Sequence, residues 1–462
     1  MSTSTMWLLL FVVVALALLV AALTKTKFTV QKISIIGVMA ALSLVAYEFF
    51  RIPNVFGTGS SFHLGNTFTA LTALLLLLPT GYEGAVQYQE ADRCAARVLA
   101  VDDSTIVDTG LVRSGEQRCT LELLGGRFQG RTATGINMLN GSLEQDKLFA
   151  PGDKAMVVVS CQGDEILSVT MTDHYRIGKE ALLAAVFAVF LILFAGRTGV
   201  RAIVSFVLTV LMLWKVLVPL YLKGWNPILV GLAVTLALTL LIIALVYGFE
   251  RRCAAAVSGA FLGILVTCVL GIVFTDLFQI HGAVMSYSES LLYSGYQDLN
   301  LTQIFMAAIF IGSSGAVMDL AVDITSAVNE VVKKRPDISR WEAVRSGMNV
   351  GRAAMGTMTT TLLLAYSGGY VALLMVFMAQ GTPLYNILNY KYVASEIIHT
   401  IVGSFGLVTV APLTALTSGF LLAGQREPSL PTPPVRRAAE GQSAPQGDSE
   451  HDRRLLRLLM RR

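Results

Sequence analysis

The chain has 462 residues, 54% of them hydrophobic and 14% charged, with a mean hydropathy of +0.64 and a net charge of +4. A soluble domain carries about a quarter charged residues, so a soluble enzyme or regulator is excluded, and several apolar runs reach the roughly 20 residues that cross a bilayer. The basic residues sit in short loops and the tail rather than on a soluble face, so no nucleic-acid partner is expected.

Residues 1–85 hold the first apolar runs. Met6–Leu23 is uninterrupted and reads as a signal anchor or a span, while Ala21-Ala22-Leu23 leaves a cleavage site open. Lys25, Lys27 and Lys32 follow, and Gln31–Phe50 is a second span carrying Glu48. After a Gly/Ser/Asn-rich loop, Asn66–Leu78 is apolar for only about a dozen residues before Pro79. That length fits a re-entrant or half-buried helix as well as a span.

Composition changes over residues 86–177, where apolar residues alternate in the strand manner. Strands are predicted at Ala96–Val101, Cys119–Leu124, Thr132–Ile136 and Ala155–Ser160. Asp102-Asp103-Ser104, Gly125-Gly126, Asn140-Gly141 and Pro151-Gly152-Asp153 supply the turns. The expectation is a small β-barrel or sandwich, with the oligonucleotide/oligosaccharide-binding barrel as one candidate. Cys119 is in phase with Leu121 and Leu123 and reads as core. Cys94, Cys119 and Cys161 leave one thiol over after any disulfide.

Seven apolar segments follow within residues 178–424: Glu180–Gly196, Ala202–Leu222, Pro227–Gly248, Cys253–Thr275, Leu301–Val322 (continuing polar to Val332), Ala353–Met378 and Val393–Leu422. The last contains Gly403, Gly406 and Pro412, which predict a break or kink. Arg197 and Arg201, Arg251 and Arg252, and the run from Lys333 to Arg352 fall in alternate loops, and eight arginines lie in the tail. The intervening loops are almost free of Lys and Arg. This asymmetry places the basic loops and the C-terminus in the cytoplasm and the β domain outside. Three full spans before that domain would put Lys25, Lys27 and Lys32 outside, against the same rule. Residues 425–462 are Pro/Ser/Gly-rich and charged and read as a disordered basic cytoplasmic tail. The expected fold class is therefore an α-helical polytopic membrane protein with an inserted extracytoplasmic small β-barrel domain.

The stretch Gly312–Val332 carries the strongest chemical signal. Asp319, Asp323, Ser326 and Glu330 recur at helical spacing and share one face. Carboxylates at membrane depth are costly unless they face water or protein, so this face reads as a transport path or proton relay. Its opening residues, Gly312 to Gly315, are small and allow close helix approach. Salt bridges to Arg345 or Arg352 are the structural alternative. Asn349 and Arg352, in Ser346–Arg352 ahead of the sixth segment, are candidates for anion binding or for an ion pair with Glu330. Gly347 and Gly351 form a GxxxG spacing that reads as packing. Glu396 and His399 make a Glu-x-x-His pair on one helix face, read as an acid–base or relay pair. A single copy is weak support for a metal site, so no metal and no cofactor are expected. No HExxH, G-x-S-x-G or Walker A motif occurs, so the chain is not expected to be an enzyme.

The C-terminal block resembles the YibE/F family of bacterial membrane proteins. The resemblance rests on Gly312-Ser-Ser-Gly-Ala-Val-Met-Asp319, Asn329-Glu330, Ser346-Gly-Met-Asn-Val-Gly-Arg352, Gly356-Thr-Met, Ala365-Tyr366, Asn389, Glu396, Gly403 and Pro412-Leu-Thr-Ala415. It extends to the β domain through Gly130–Asn140 and Phe149–Val159, and covers about Ala95 to Gly419. It implies an extracytoplasmic β domain followed by a membrane bundle, and supplies no activity. Asp323 stands where the family pattern has a small polar residue, and Ala353 where it has an acid. Lys32–Ala46, Phe62–Asn66 and the run to Leu78 are faintly similar to substrate-binding components of energy-coupling-factor vitamin transporters.

The expected function is transport or permeation of a small solute or ion through the seam on 312–332, in the plasma membrane of a bacterial cell. The alternative is a non-transport scaffold or sensor whose external β domain binds an envelope protein partner. The lipid bilayer is the one partner that composition itself requires.

Overall fold

The computed structural model describes residues 64–82 and 91–423. The spans expected at Met6–Leu23 and Gln31–Phe50, and the tail from Arg426, lie outside these residues. The first described element, α1 (Leu64–Leu77), is a helix of 14 residues. At about 1.5 Å per residue it is roughly 21 Å long, short of a ~30 Å hydrocarbon core.

The β domain comprises β1 (Asp92–Asp102), β2 (Val107–Asp108), β3 (Arg113–Leu123), β4 (Thr132–Asn140), β5 (Lys154–Gln162) and β6 (Glu165–His174). β1 pairs antiparallel with both β3 and β5, β5 with β6, and β3 with β4, while β4 runs parallel to β6. The five long strands thus close on themselves, in the topology of the oligonucleotide/oligosaccharide-binding barrel. Period-two alternation fills the interior: Ala96 and Val98, Cys119, Leu121 and Leu123, Val157 and Val159, and Val169 and Met171 all point inward and are buried. Gly135 in β4 leaves room for closure, because a Cβ there would press on Leu121 and lie 3.2 Å from Met171 Cγ. β3 begins at Arg113 rather than Cys119 and β4 runs on to Asn140. The closing strand β6 was not among the predicted strands; its first half, Glu165–Ser168, has no buried residue and shows no apolar alternation.

A polar hub ties down one end of the barrel. The buried Gln117 amide donates to Asp103 Oδ1 and Phe149 O, both at 2.9 Å, and accepts from Phe149 N at 2.9 Å and Asn137 Nδ2 at 3.1 Å.

Seven described helices are long and apolar enough to cross a membrane. They are α2 (Ile177–Ala195); α3 (Arg197–Met212), which runs through a π-turn into α4 (Val218–Leu222); α5 (Pro227–Tyr247); α6 (Arg251–Leu277); α8 (Leu301–Lys334); α9 (Arg340–Ser367), continued after a turn by α10 (Val371–Ala379); and α12 (Lys391–Leu422). Short helices α7 (Ser288–Tyr293) and α11 (Leu384–Asn389) lie in connections. Side-chain caps set three starts: Asn226 accepts from the amides of Ile228 and Leu229, Asn300 from Gln303, and Ser339 from Glu342.

Helix α8 lies at the centre of the bundle, its buried face packed on α5, α6, α9 and α12. Hydrocarbon gives helices no hydrophobic reason to associate, so close approach of small residues does the work. A Cβ at Gly259 of α6 would lie 2.7 Å from Thr414 Cα of α12, and one at Gly263 would lie 2.9 Å from Val410 Cβ. Gly347 of α9 packs on Val328 and Ala415, and Gly351 on Ile324 and Ala411. α2 has no buried residue, as a helix surrounded by lipid would.

Two boundaries differ from expectation. The sixth helix begins at Arg340, so Ser346–Arg352 lies within it rather than ahead of it. Hydropathy marks only the apolar part, Ala353 onward; the three preceding turns are charged and carried by the Ser339 cap. α12 is one continuous helix despite Pro412.

Candidate functional site

Helix α8 spans 34 residues, about 51 Å at ~1.5 Å per residue, and so projects beyond a ~30 Å core. Asp319 and Asp323 lie 14 and 10 residues before Lys333, about 21 and 15 Å along the axis, so with Lys333 at the edge of a ~30 Å core they fall in its middle third. Asp323 is one turn closer to the basic end and Glu330 is at that end. The helix segregates its faces. Val317, Leu320, Ala321, Ile324 and Val328 are buried, whereas Gly312, Gly315, Asp319, Asp323 and Glu330 are exposed on the surface of the single chain. A charge at helix centre costs about 2.5–3.5 kcal/mol even on the lenient insertion scale. Two carboxylates four residues apart cannot rest against acyl chains, so this stripe must meet water or protein.

Ser326 borders the stripe. Its Oγ lies 2.6 Å from Tyr247 Oη at the end of α5, and that hydroxyl also lies 2.6 Å from Val322 O. Arg252 stacks over the Tyr247 ring at 5.4 Å. On the buried side, Thr325 Oγ1 and Ser418 Oγ join α8 to α12 at 2.9 Å.

The contacts of Gly347 with Val328 and of Gly351 with Ile324 set the antiparallel register of α8 and α9. In that register Arg352 is level with Asp323, Asn349 with Ser326, and Arg345 with Glu330. The ion pairs offered as the structural alternative are nevertheless not formed. Among the described residues Asp319, Asp323, Arg345 and Arg352 take part in no salt bridge, and Glu330 pairs with Lys333 at 3.4 Å. All six of Asp319, Asp323, Glu330, Arg345, Asn349 and Arg352 are exposed. The contacts of α9 fall on its glycine face, which leaves its long polar side chains outside the helix–helix seam.

Glu396 and His399 stand apart from these residues, in the first turns of α12 and toward the opposite membrane surface. The hydroxyls of Tyr370 and Thr400 are the polar neighbours of Glu396. The His399 ring is held edge-on between Phe305, at 5.1 Å, and Tyr366, at 5.7 Å. Tyr366 links this cluster to α8: a Cβ at Gly312 would lie 2.7 Å from Tyr366 Oη, which is itself buried without a hydrogen-bond partner among the described residues. Six of the eight candidate residues thus lie along a stripe on α8 and α9 that runs from Asp319 to the basic end, all exposed except the half-buried Ser326, and Glu396 and His399 form a second polar cluster on α12, joined to it through Tyr366 and Gly312. The sequence marks neither Tyr247 nor Tyr370, and Tyr366 enters only through the family resemblance, with no site role. Tyr247 occurs at the end of an apolar segment, where an interfacial aromatic is the ordinary reading, and Tyr366 and Tyr370 fall inside the segment Ala353–Met378 with no local pattern to mark them.

The polar threonines of α9 serve their own helix. Thr357, Thr360 and Thr361 donate to the carbonyls of Ala354, Gly356 and Thr357, and Thr359 to that of Met355. No cluster of three or more His, Cys, Asp or Glu with the geometry of a metal site occurs among the described residues.

Comparison with known proteins gives two family matches. The family model described as YibE/F-like protein matches residues 183–424, and the one described as ECF-type riboflavin transporter, S component, matches residues 27–81. No curated protein and no solved structure matches the chain.

Proposed function

Since the chain belongs to the YibE/F-like protein family, we propose that it passes a small solute or ion across the membrane along the exposed stripe of α8. The observation that carries this reading is the pair Asp319 and Asp323, at membrane depth, exposed, and without an ion-pair partner among the described residues. A purely structural carboxylate at that depth would be paired or buried in protein. A water-filled path satisfies both at once. Gly315 leaves open backbone beside it, since nothing lies within 4 Å of where its Cβ would stand.

In this reading Asp319 and Asp323 bind the cation or proton at mid-membrane, and Glu396, His399 and Tyr366 relay it to the opposite face. Arg345, Asn349 and Arg352 line the stripe from the level of Asp323 to the basic end, and the distribution of Lys and Arg favours a cytoplasmic basic end with the barrel outside. The N-terminal likeness to a riboflavin transporter component supports a role in moving solute and leaves the solute open. The same arrangement supports transport over covalent chemistry, since no activated nucleophile is paired with a base in the stripe.

The test is flux in proteoliposomes across a panel of protons, monovalent cations and small organic solutes. Flux that is present in the wild type and falls at least tenfold in Asp319→Asn, with Asp323→Asn also impaired and both variants folded, is expected. Equal flux in wild type and Asp319→Asn would remove the stripe from the path.

A further inference from the structure

Strand register fixes which end of the barrel meets the membrane. β6 closes at His174, and only Tyr175 and Arg176 separate it from α2 at Ile177. β4 is parallel to β6 with Ile136 level with Thr170, so Asn140 is level with His174. Asn140 pairs with Ser114, and the Asp108–Arg113 rung lies one step further along β3. The β2–β3 turn and the β4–β5 loop therefore project from the end that adjoins the bilayer.

These two loops carry the most exposed leucines of the barrel, Leu111 at 85% and Leu143 at 82%. With Val112, Leu139 and Leu148 they line a cleft of about 320 Å³. The aspartates at this end are already engaged. Asp108 accepts from Arg113 at 2.8 Å and from the Gly110 amide, and Asp146 accepts from the amides of Asn140 and Ser142. Asp173 pairs with Arg176 at 2.8 Å. Glu144 stays solvated beside Leu143. The surface left over is aliphatic, edged by Lys147 and by Tyr175, an aromatic suited to the headgroup layer.

We propose that Leu111 and Leu143 insert among lipid acyl chains, so that the bilayer surface itself seats the barrel over the helices. The occupant is lipid because the same end is continuous with a membrane-spanning helix, which already holds it within a few residues of the interface. Interfacial insertion reaches about 5–10 Å, within the span of two loop tips.

The experiment uses the full chain in nanodiscs of phosphatidylcholine and phosphatidylglycerol, on a Cys161→Ser background because the other four cysteines are buried. Spin labels are placed at Leu111→Cys, Leu143→Cys and Leu167→Cys. Leu167, 62% exposed, lies seven residues before His174, about 23 Å toward the far end at ~3.3 Å per residue. Oxygen should collide with the labels at 111 and 143 several-fold more, relative to a water-soluble nickel chelate, than with the label at 167. Equal nickel access at all three sites would overturn the proposal. So would protection of 111 and 143 from both reagents, which would mean a protein occupant. Should a labelled variant fail to fold, quenching by brominated lipid of Leu111→Trp above the wild-type tryptophan signal gives the same decision, and no added quenching refutes it.

Discussion

Replacing Gly259 by alanine puts the helix packing to a quantitative test. The new Cβ would lie 2.7 Å from Thr414 Cα and 2.8 Å from Thr414 Cβ, where carbon atoms prefer about 3.5–4.0 Å. Thr414 Cα is backbone, so no rotamer change relieves that contact, and α6 and α12 must separate by roughly 1 Å. A gap of 0.5–1 Å forfeits about a quarter to a half of each contact along the seam. Overpacking of this kind costs about 1–3 kcal/mol, which for a domain of this size is a fall in Tm of about 4–8 °C at ~2 kcal/mol. Gly356→Ala is the matched control. Nothing lies within 4 Å of its Cβ, so alanine relieves the helix of glycine's entropy and stabilises by up to about 1 kcal/mol. Thermal melting of the detergent-solubilised chain, read by size-exclusion recovery, should therefore move in opposite directions for the two variants. A Gly259→Ala protein as stable as wild type would refute the close α6–α12 contact.

Two predictions concern the barrel. Gln117→Leu strands the Phe149 N–H and C=O and leaves the Asn137 amide with its bond to Lys147 O alone, at about 1–3 kcal/mol for each buried unsatisfied group. A loss of about 3 kcal/mol should lower the urea midpoint of the barrel by roughly 1–3 M, measured by pulse maleimide labelling of Cys119; an unchanged midpoint would mean the hub is not formed. Burial pushes the Cys119 thiol from its ordinary 9.0 up to about 11, so its neutral form favours the folded barrel. That contribution is intact below pH 9.0 and is lost as the unfolded thiol ionises between 9.0 and about 11. Stability should fall across that window in wild type and less so in Cys119→Ala, compared by denaturation at pH 8 and pH 10.5; equal slopes would contradict the buried thiol.

The membrane helices were legible because length and apolarity are one-dimensional properties: all seven segments are helices in the structure. Alternation marked four strands of the barrel. β6 escaped because Glu165–Ser168 carries little inward-facing apolar surface, and only Val169 and Met171 are in phase. The polar first turns of α9 escaped for the converse reason: hydropathy sees the part inside lipid, although Ser339 followed by Glu342 is a capping signal in plain view. Helical spacing put Asp319, Asp323 and Glu330 on one face, as the structure has them. It could not tell that Arg352 and Arg345 lie at the same levels yet remain unpaired, because that depends on which face of α9 the glycines turn toward α8 and α12. Nor could it join Glu396 and His399 to Gly312, since Tyr366 links them across three helices.

The account turns on whether water reaches the α8 stripe at mid-membrane, and thiol labelling in intact membranes measures this directly. Cysteines at Gly315, Asp319 and Asp323 should react with a charged, membrane-impermeant methanethiosulfonate. Cysteines at Val269 and Val273, exposed on α6, should not, because lipid covers them. Labelling confined to the stripe is the predicted result. A stripe as unreactive as Val269 in a folded, membrane-inserted protein would contradict a hydrated path along α8.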